Sequence, residues 1–138
     1  MGKKNSLSVP MKIGIPCLDS QHETLYQCLN EFIQLSQQKN LALETVKKHF
    51  SKISNYTITH FDDEEFFMRS CAYPELDNHS LQHLALRELV GDLAAKLEET
   101  DNLQAFCSEM VEVLKDWLND HICTQDAKIA AFYHSHHK

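Results

Sequence analysis

Glycine and proline are scarce in this chain of 138 residues, which contains three of each. Gly2, Gly14 and Gly91 stand too far apart to form a glycine-rich dinucleotide fingerprint or a phosphate-binding loop. The Gly-x-Ser-x-Gly turn of many hydrolases is absent as well. Because β-sandwiches and barrels need turn residues about every 8–12 positions, β architecture is disfavoured. The length suits one domain.

Basic residues are also in the minority, with 13 Lys and Arg against 20 Asp and Glu, so the formal net charge is −7. An acidic chain without a basic stripe is a poor match for DNA or RNA, and we expect no nucleic-acid partner. No apolar run reaches the roughly 18 residues of a membrane span. The N-terminus lacks the apolar segment of a signal peptide, which favours a cytoplasmic location.

Cysteine occurs five times, an odd number, and never as a Cys-x-x-Cys pair. This excludes a zinc ribbon or a thioredoxin-like motif and disfavours the disulfide framework of a secreted protein. We expect most of the cysteines to be small buried apolar residues in a reducing compartment. They are Cys17, Cys28, Cys71, Cys107 and Cys123.

Apolar residues recur at alternating steps of three and four, the spacing of helices with one buried face. Four such stripes cover residues 18–35, 46–71, 76–97 and 103–121. Because the links between them are short, the sequence predicts an all-α fold, an up-down-up-down antiparallel four-helix bundle. Residues 1–17 are expected to form an extended N-terminal arm, 18–133 the bundle and 134–138 a His-rich C-terminal tail.

Local signals suggest where these helices begin and end. Ser20, followed three residues later by Glu23, resembles a capping box at the start of the first helix. Thr100 or Asp101 can cap the fourth helix. Pro74 disfavours a helical residue before it and places the end of the second helix nearby.

Histidine is the residue in excess, with nine in the chain. Five of them lie on the apolar stripes, at least one on each predicted helix: His22, His60, His79, His83 and His121. Glu64 follows His60 by four residues, so the two side chains share one helix face. Burying these groups without partners would cost several kcal/mol. A metal would satisfy all of them together, and bundle cores are where such sites occur.

The fourth stripe has a different spacing, because Asp126 follows His121 by five residues. An ideal helix would turn by about 500° over that interval and separate the two side chains by about 140°. For both to face one site, the helix must either widen into a π-type turn or end there.

The number and type of candidate ligands constrain the metal. Five imidazoles and two carboxylates exceed the four ligands of a structural zinc site. Two ions bridged by the carboxylates divide the set naturally, and the mixed donors suit iron or manganese. The Glu-x-x-His signature of ferritin-like proteins and the His-Glu-x-x-His signature of zinc proteases are both absent.

The set resembles the hemerythrin family over residues 13–126. The matching segments run through Ile13-Gly14-Ile15-Pro16-Cys17-Leu18-Asp19-Ser20-Gln21-His22, His60-Phe61-x-x-Glu64-Glu65 with Met68, Tyr73-Pro74, His79-x-x-x-His83 and Trp117-Leu118-x-x-His121-Ile122-x-x-x-Asp126. The resemblance implies a non-haem di-iron site with an oxo or hydroxo bridge that binds dioxygen reversibly.

The resemblance also implies a role for each ligand. One iron would be held by three histidines: His79, His83 and His121. The other would be held by His22 and His60, with a position open for dioxygen. Glu64 and Asp126 would bridge the two irons. Leu118 matches the family position that lines the dioxygen pocket, and we place Trp117 in the same pocket.

Two other functions remain open from the sequence. One is a di-iron enzyme that consumes oxygen, peroxide or nitric oxide, and the other is a sensory module that signals to a protein partner. We expect dioxygen storage, delivery or sensing, without catalysis. The acidic neighbours of Glu64, namely Asp62, Asp63 and Glu65, are interpreted as a solvated face.

Overall fold

The computed structural model describes residues 12–136. These residues form five α-helices and one π-helical turn: α1 (Pro16–Ser36), α2 (Leu43–Ser70), α3 (Leu76–Glu99), α4 (Leu103–Asp120), the π-turn (His121–Asp126) and α5 (Ala127–His136). No strand occurs between residues 12 and 136. Residues 1–11 of the expected N-terminal arm lie outside the described part of the chain.

The helices run antiparallel around a bundle, as the sequence predicts. Between α2 and α3, the Asp62–Arg87 pair is followed by Glu65–His83, so the numbering rises on one helix as it falls on the other. α1 packs against α2 and α4, and α3 packs against the same two helices. The fold is therefore an all-α four-helix bundle whose fourth member is the continuous run of α4, the π-turn and α5.

The start of α1 differs from the predicted capping box. The helix begins at Pro16, whose missing N–H costs nothing in the first turn, and Ser20 lies inside it. The N-cap residue Ile15 makes no side-chain cap bond, and Asp19 in the first turn holds the preceding segment, because its carboxylate accepts from the backbone N–H groups of Ile13 and Gly14 at 2.8 and 3.1 Å. Gly14 has a φ of +94°, in the left-handed region that favours glycine.

The start of α4 is also corrected. Asn102 is the N-cap, and its side-chain oxygen accepts from the backbone N–H of Ala105 at 3.0 Å. Thr100, predicted as a possible cap, accepts from the N–H of Asn102 at 3.2 Å. Because Asn and Asp cap helices about equally well, the sequence predicts the start of α4 in the correct place but names the wrong N-cap residue.

Of the two alternatives predicted for the chain after His121, a π-type turn or a helix end, the structure contains the π-turn, at His121–Asp126. The helix then continues as α5 to His136, so residues 134–136 of the expected C-terminal tail are helical. The ring nitrogen Nε2 of His134 donates to the carbonyl of Gly14 at 3.0 Å. This bond joins the last helix to the segment that precedes α1.

A buried polar layer separates two apolar cores. On α1, His22 stands between Leu18 of the smaller core and Leu25 of the larger one. On α2, Glu64 stands in the same way between Met68 and Phe61. The π-turn and α5 repeat the order, because Asp126 lies between Ile122 of the larger core and Ile129 of the smaller one. The fold therefore places polar side chains from different helices at one level.

All five cysteines are free thiols, but their burial differs from the expectation. Cys28 and Cys107 are buried, Cys71 is half-buried, and Cys17 and Cys123 are exposed. The expectation that most are buried is therefore wrong. No helix within residues 12–136 combines the length and apolar character needed to cross a membrane.

Candidate metal centre

The seven predicted ligand residues meet in the polar layer, and none is more than 4% exposed. α1 supplies one, α2 two, α3 two and the π-turn two: His22, His60, Glu64, His79, His83, His121 and Asp126. Their donor atoms form two overlapping groups, each compact enough to hold a metal ion. The two carboxylates belong to both groups.

The first group contains three imidazoles. Glu64 Oε1 lies 2.9 Å from His83 Nε2 and 3.0 Å from His79 Nε2. Asp126 Oδ1 lies 3.1 Å from the Nε2 atoms of both His79 and His121. The Nε2 atoms of His79 and His121 are themselves 3.0 Å apart. Three ring nitrogens and two carboxylate oxygens therefore converge on one small volume.

The second group contains two imidazoles, and it uses the other oxygen of each carboxylate. Glu64 Oε2 lies 3.6 Å from His60 Nε2 and 3.9 Å from His22 Nε2. Asp126 Oδ2 lies 3.1 Å from His22 Nε2. Each carboxylate thus turns one oxygen to the three-histidine group and one to the two-histidine group, which is how a bridging carboxylate is arranged.

Several of these atoms have no hydrogen-bond partner among the described residues. They include His22 Nε2, Glu64 Oε2 and both carboxylate oxygens of Asp126. Because a buried polar atom without a partner is costly, their close approach without hydrogen-bond alignment calls for another group between them. Metal cations would satisfy all of these lone pairs, so the donor set fits a pair of ions.

The charge of the two carboxylates is retained despite complete burial. Burial alone would raise the pKa of Glu64, but the surrounding imidazoles hold that pKa well below its ordinary value. Burial and the charge of Glu64 also oppose ionisation of Asp126, yet the adjacent imidazoles of His121, His22 and His79 lower its pKa to about 2. The layer therefore contains two negative charges that require positive charge nearby.

The pKa values of the imidazoles do not all shift in the same direction. Burial opposes protonation of His22 and His79, but the Asp126 and Glu64 carboxylates outweigh it and raise both pKa values to about 9. The same balance raises the pKa of His121. For His60, burial prevails and lowers the pKa to about 4. In the metal-free protein the compensating charge is thus carried by protons, which metal ions would displace.

Three acceptors outside the layer bind the outer nitrogen, Nδ1, of a candidate ligand. The pairs are Gln21 Oε1 with His60 at 2.6 Å, Glu65 Oε2 with His83 at 2.8 Å, and Gln82 Oε1 with His121 at 3.1 Å. In each pair the imidazole donates, because amide and carboxylate oxygens accept. This places the ring hydrogen on Nδ1 and turns Nε2 inward as a ligand atom.

These acceptors were not predicted from the sequence, and they correct the interpretation of residues 62–65. Glu65 contacts His83, Asp62 pairs with Arg87 at 2.9 Å, and Asp63 accepts from the Gln21 side chain at 2.8 Å. The acidic run is therefore not merely a solvated face. A usable signal exists, since Gln21, Glu65 and Gln82 are each next in sequence to a candidate ligand.

Aromatic rings enclose the three-histidine group. Phe61 is fully buried and stacks on His83, with ring centroids 3.8 Å apart and planes 4° apart. Trp117 is half-buried and stacks on His121 at 4.5 Å, beside an open groove of about 580 Å³ between α3 and α4. Leu118 is buried in the larger core. The observed ring contacts of Trp117 are with His121 and Phe61.

The layer of imidazoles and carboxylates agrees with the sequence family that the chain matches. The family model described as hemerythrin HHE cation binding domain matches residues 14–133. The chain belongs to the hemerythrin family. All seven candidate ligands of this hemerythrin-family protein lie within the matched segment, which the family description assigns to cation binding.

Curated proteins from bacteria are similar to this hemerythrin-family chain over most of its length. A bacteriohemerythrin of Campylobacter jejuni is 25% identical over 120 residues, which cover 84% of this chain and 85% of that protein. One from Clostridium acetobutylicum is 23% identical over 117 residues, 83% of this chain and 90% of that protein. One from Stenotrophomonas maltophilia is 26% identical over 122 residues, 87% of this chain and 75% of that protein.

Proposed function

We propose that this hemerythrin-family protein binds dioxygen reversibly at two non-haem iron ions joined by an oxo or hydroxo group. It would store, deliver or sense oxygen in the cytoplasm and release it again as dioxygen. The observation that carries the proposal is the division of the Glu64 and Asp126 oxygens between the two histidine groups. Such a division is expected where two carboxylates bridge two ions.

The unequal histidine counts support a binding role for one side of the pair. Three imidazoles with two bridging carboxylates and a solvent-derived bridge would complete an octahedral ion. The side formed by His22 and His60 has one imidazole fewer, and dioxygen would bind there. Bound iron supplies the electrons that dioxygen needs to bind; the protein supplies the ligands and a nearly dry enclosure.

Exclusion of water supports reversible binding over turnover. All seven candidate ligands are buried. Leu25 and Phe61 of the apolar core on one side, and Met68 of the core on the other, are 0% exposed. We propose Leu118, which belongs to the larger core, as a wall of the dioxygen pocket. Trp117 supports the ring of His121 from the outside.

The test is stopped-flow mixing of the iron(II)-loaded protein with dioxygen, followed by repeated removal and readmission of the gas. We expect an absorption band that appears with oxygen, disappears on deoxygenation and returns over several cycles. His60→Ala serves as the matched variant, because it removes one ligand of the two-histidine group and leaves the three-histidine group intact. It should abolish the cycling. Rapid, irreversible oxidation of the unaltered protein would reject the carrier function and favour a di-iron enzyme.

A further inference from the structure

The outer hydrogen bonds of the candidate ligands follow the order of the helices around the bundle. Gln21 of α1 binds a histidine of α2, Glu65 of α2 binds one of α3, and Gln82 of α3 binds one of the π-turn. Each helix therefore orients a ligand carried by the next helix. The series ends at His22, whose Nδ1 is buried and has no hydrogen-bond partner among the described residues.

The two metal positions consequently receive different support. In the three-histidine group, His83 donates to a carboxylate and His121 to an amide. In the two-histidine group, His60 donates to an amide, and Nδ1 of His22 has no partner in the described part of the chain. Among the described residues, only the three-histidine group has a carboxylate bonded directly to the Nδ1 of a ligand, because Asp63 reaches His60 only through Gln21.

A carboxylate acceptor does more than an amide acceptor. Glu65 is largely buried, with its side chain 19% exposed, and its bond to Nδ1 of the fully buried His83 is short at 2.8 Å. Withdrawal of the Nδ1 proton toward an anion gives the imidazole more negative character, so Nε2 becomes a stronger donor to a cation. A neutral amide fixes the ring without adding charge.

Resting on the proposed function, we propose that Glu65 makes the two metal positions unequal. Glu65 is a positioning residue that strengthens the three-histidine position through His83, so this position fills first and releases its ion last. The position at His22 and His60 is the exchangeable one. It is also the position that the proposed function leaves open to dioxygen.

The experiment is a titration of the metal-free protein with cobalt(II) against a competing chelator, followed by the visible bands of the bound ion. We expect two separated steps for the unaltered chain. Glu65→Gln retains an acceptor for His83 and removes the charge, so it should weaken the tight step by about 10–100-fold. The weak step should stay as it is. A purely structural role would not affect one step alone.

Two further variants complete the design. Asp62→Asn removes one negative charge one helical turn away, where the side chain pairs with Arg87 on the surface, and it should leave both steps unchanged. Gln82→Glu places a carboxylate on His121, the other supported ligand of the same group. Added to Glu65→Gln, it should restore the affinity of the tight step.

Each outcome decides the proposal. A single unresolved step in the unaltered chain, equal weakening of both steps by Glu65→Gln, or an equal effect of Asp62→Asn would overturn it. Cobalt binding does not involve dioxygen, so loss of reversible oxygenation with these steps intact would reject the proposed function alone. Failure of the unaltered protein to bind cobalt would reject the metal centre as well.

Discussion

Trp117 lies nearly parallel to the ring of His121, with centroids 4.5 Å apart and planes 19° apart. It is the one tryptophan of the chain, so its emission reports on a single place in the fold. Anaerobic addition of iron(II) to the metal-free protein should quench this emission, because an open-shell ion at His121 would lie within short range of the indole. His22→Ala should keep the quenching by the first ion. Iron binding without any change in emission would contradict the assignment of His121.

Leu118→Ala tests the wall of the proposed dioxygen pocket. Leu118 is 2% exposed, and its truncation should lower the free energy of unfolding by about 2–5 kcal/mol. Water entering the cavity should also make the oxygenated protein oxidise faster. Leu97→Ala is the matched control, because Leu97 is 3% exposed in the same core and lies about 21 Å along α3 from His83. It should lower stability and leave the oxidation rate unchanged.

Two glycine substitutions should have opposite effects on stability. Gly14→Ala forces a side chain onto a φ of +94° and brings its Cβ within 3.0 Å of His134 Nε2. It should lower the free energy of unfolding by about 1–2 kcal/mol. Gly91→Ala adds a methyl group inside α3 that meets no atom within 4 Å other than the backbone of its own helix and its chain neighbours, and it should raise stability by about 0.5–1 kcal/mol. Thermal unfolding of the two metal-free variants distinguishes these signs.

Thiol reactivity should divide the cysteines by burial. Burial raises the pKa of Cys107 to about 11, so at pH 8 almost none of this buried thiol is in the reactive thiolate form. Cys17 and Cys123 are exposed and should react first with a thiol reagent. In Cys17→Ser/Cys123→Ser the fast phase should vanish, whereas in denaturant the unaltered chain should react at all five thiols. Fast modification of Cys107 in the folded state would show that the core opens readily.

The bundle and the meeting of the ligands could be predicted because both follow from spacing along single helices. His60 and Glu64 share a face by the period of the α-helix, and the five-residue step from His121 to Asp126 predicts either a π-turn or a helix end, of which the structure contains the π-turn. Such spacing is independent of how neighbouring helices are rotated. The fold class therefore follows from the sequence pattern, whereas the full ligand set, with Asp126, also needed the resemblance to the hemerythrin family.

The acceptors for the Nδ1 atoms could not be predicted, because they depend on how two neighbouring helices are placed relative to each other. Whether Glu65 points to solvent or to His83 is set by the rotation of α2 relative to α3 and by their separation, neither of which appears in a stripe pattern. The exposure of Cys17 has a similar origin, because Pro16 begins α1 earlier than expected and places Cys17 on the outer face of the first turn. The helix boundaries and the contacts between neighbouring helices could therefore not be predicted from the sequence.

The division of the apolar interior by the polar layer affects how an ion reaches its place. The smaller core, built around Ile15, Met68 and Ile129, lies at the end of the bundle where α5 meets the segment before α1 through the bond from His134 to Gly14. Opening of this end would expose the layer while the larger core holds the four helices together, so it would be a local and not a global unfolding event. The rate of metal uptake would then be set by the opening of this end of the bundle. A mutation deep in the larger core can lower stability without changing the rate of loading.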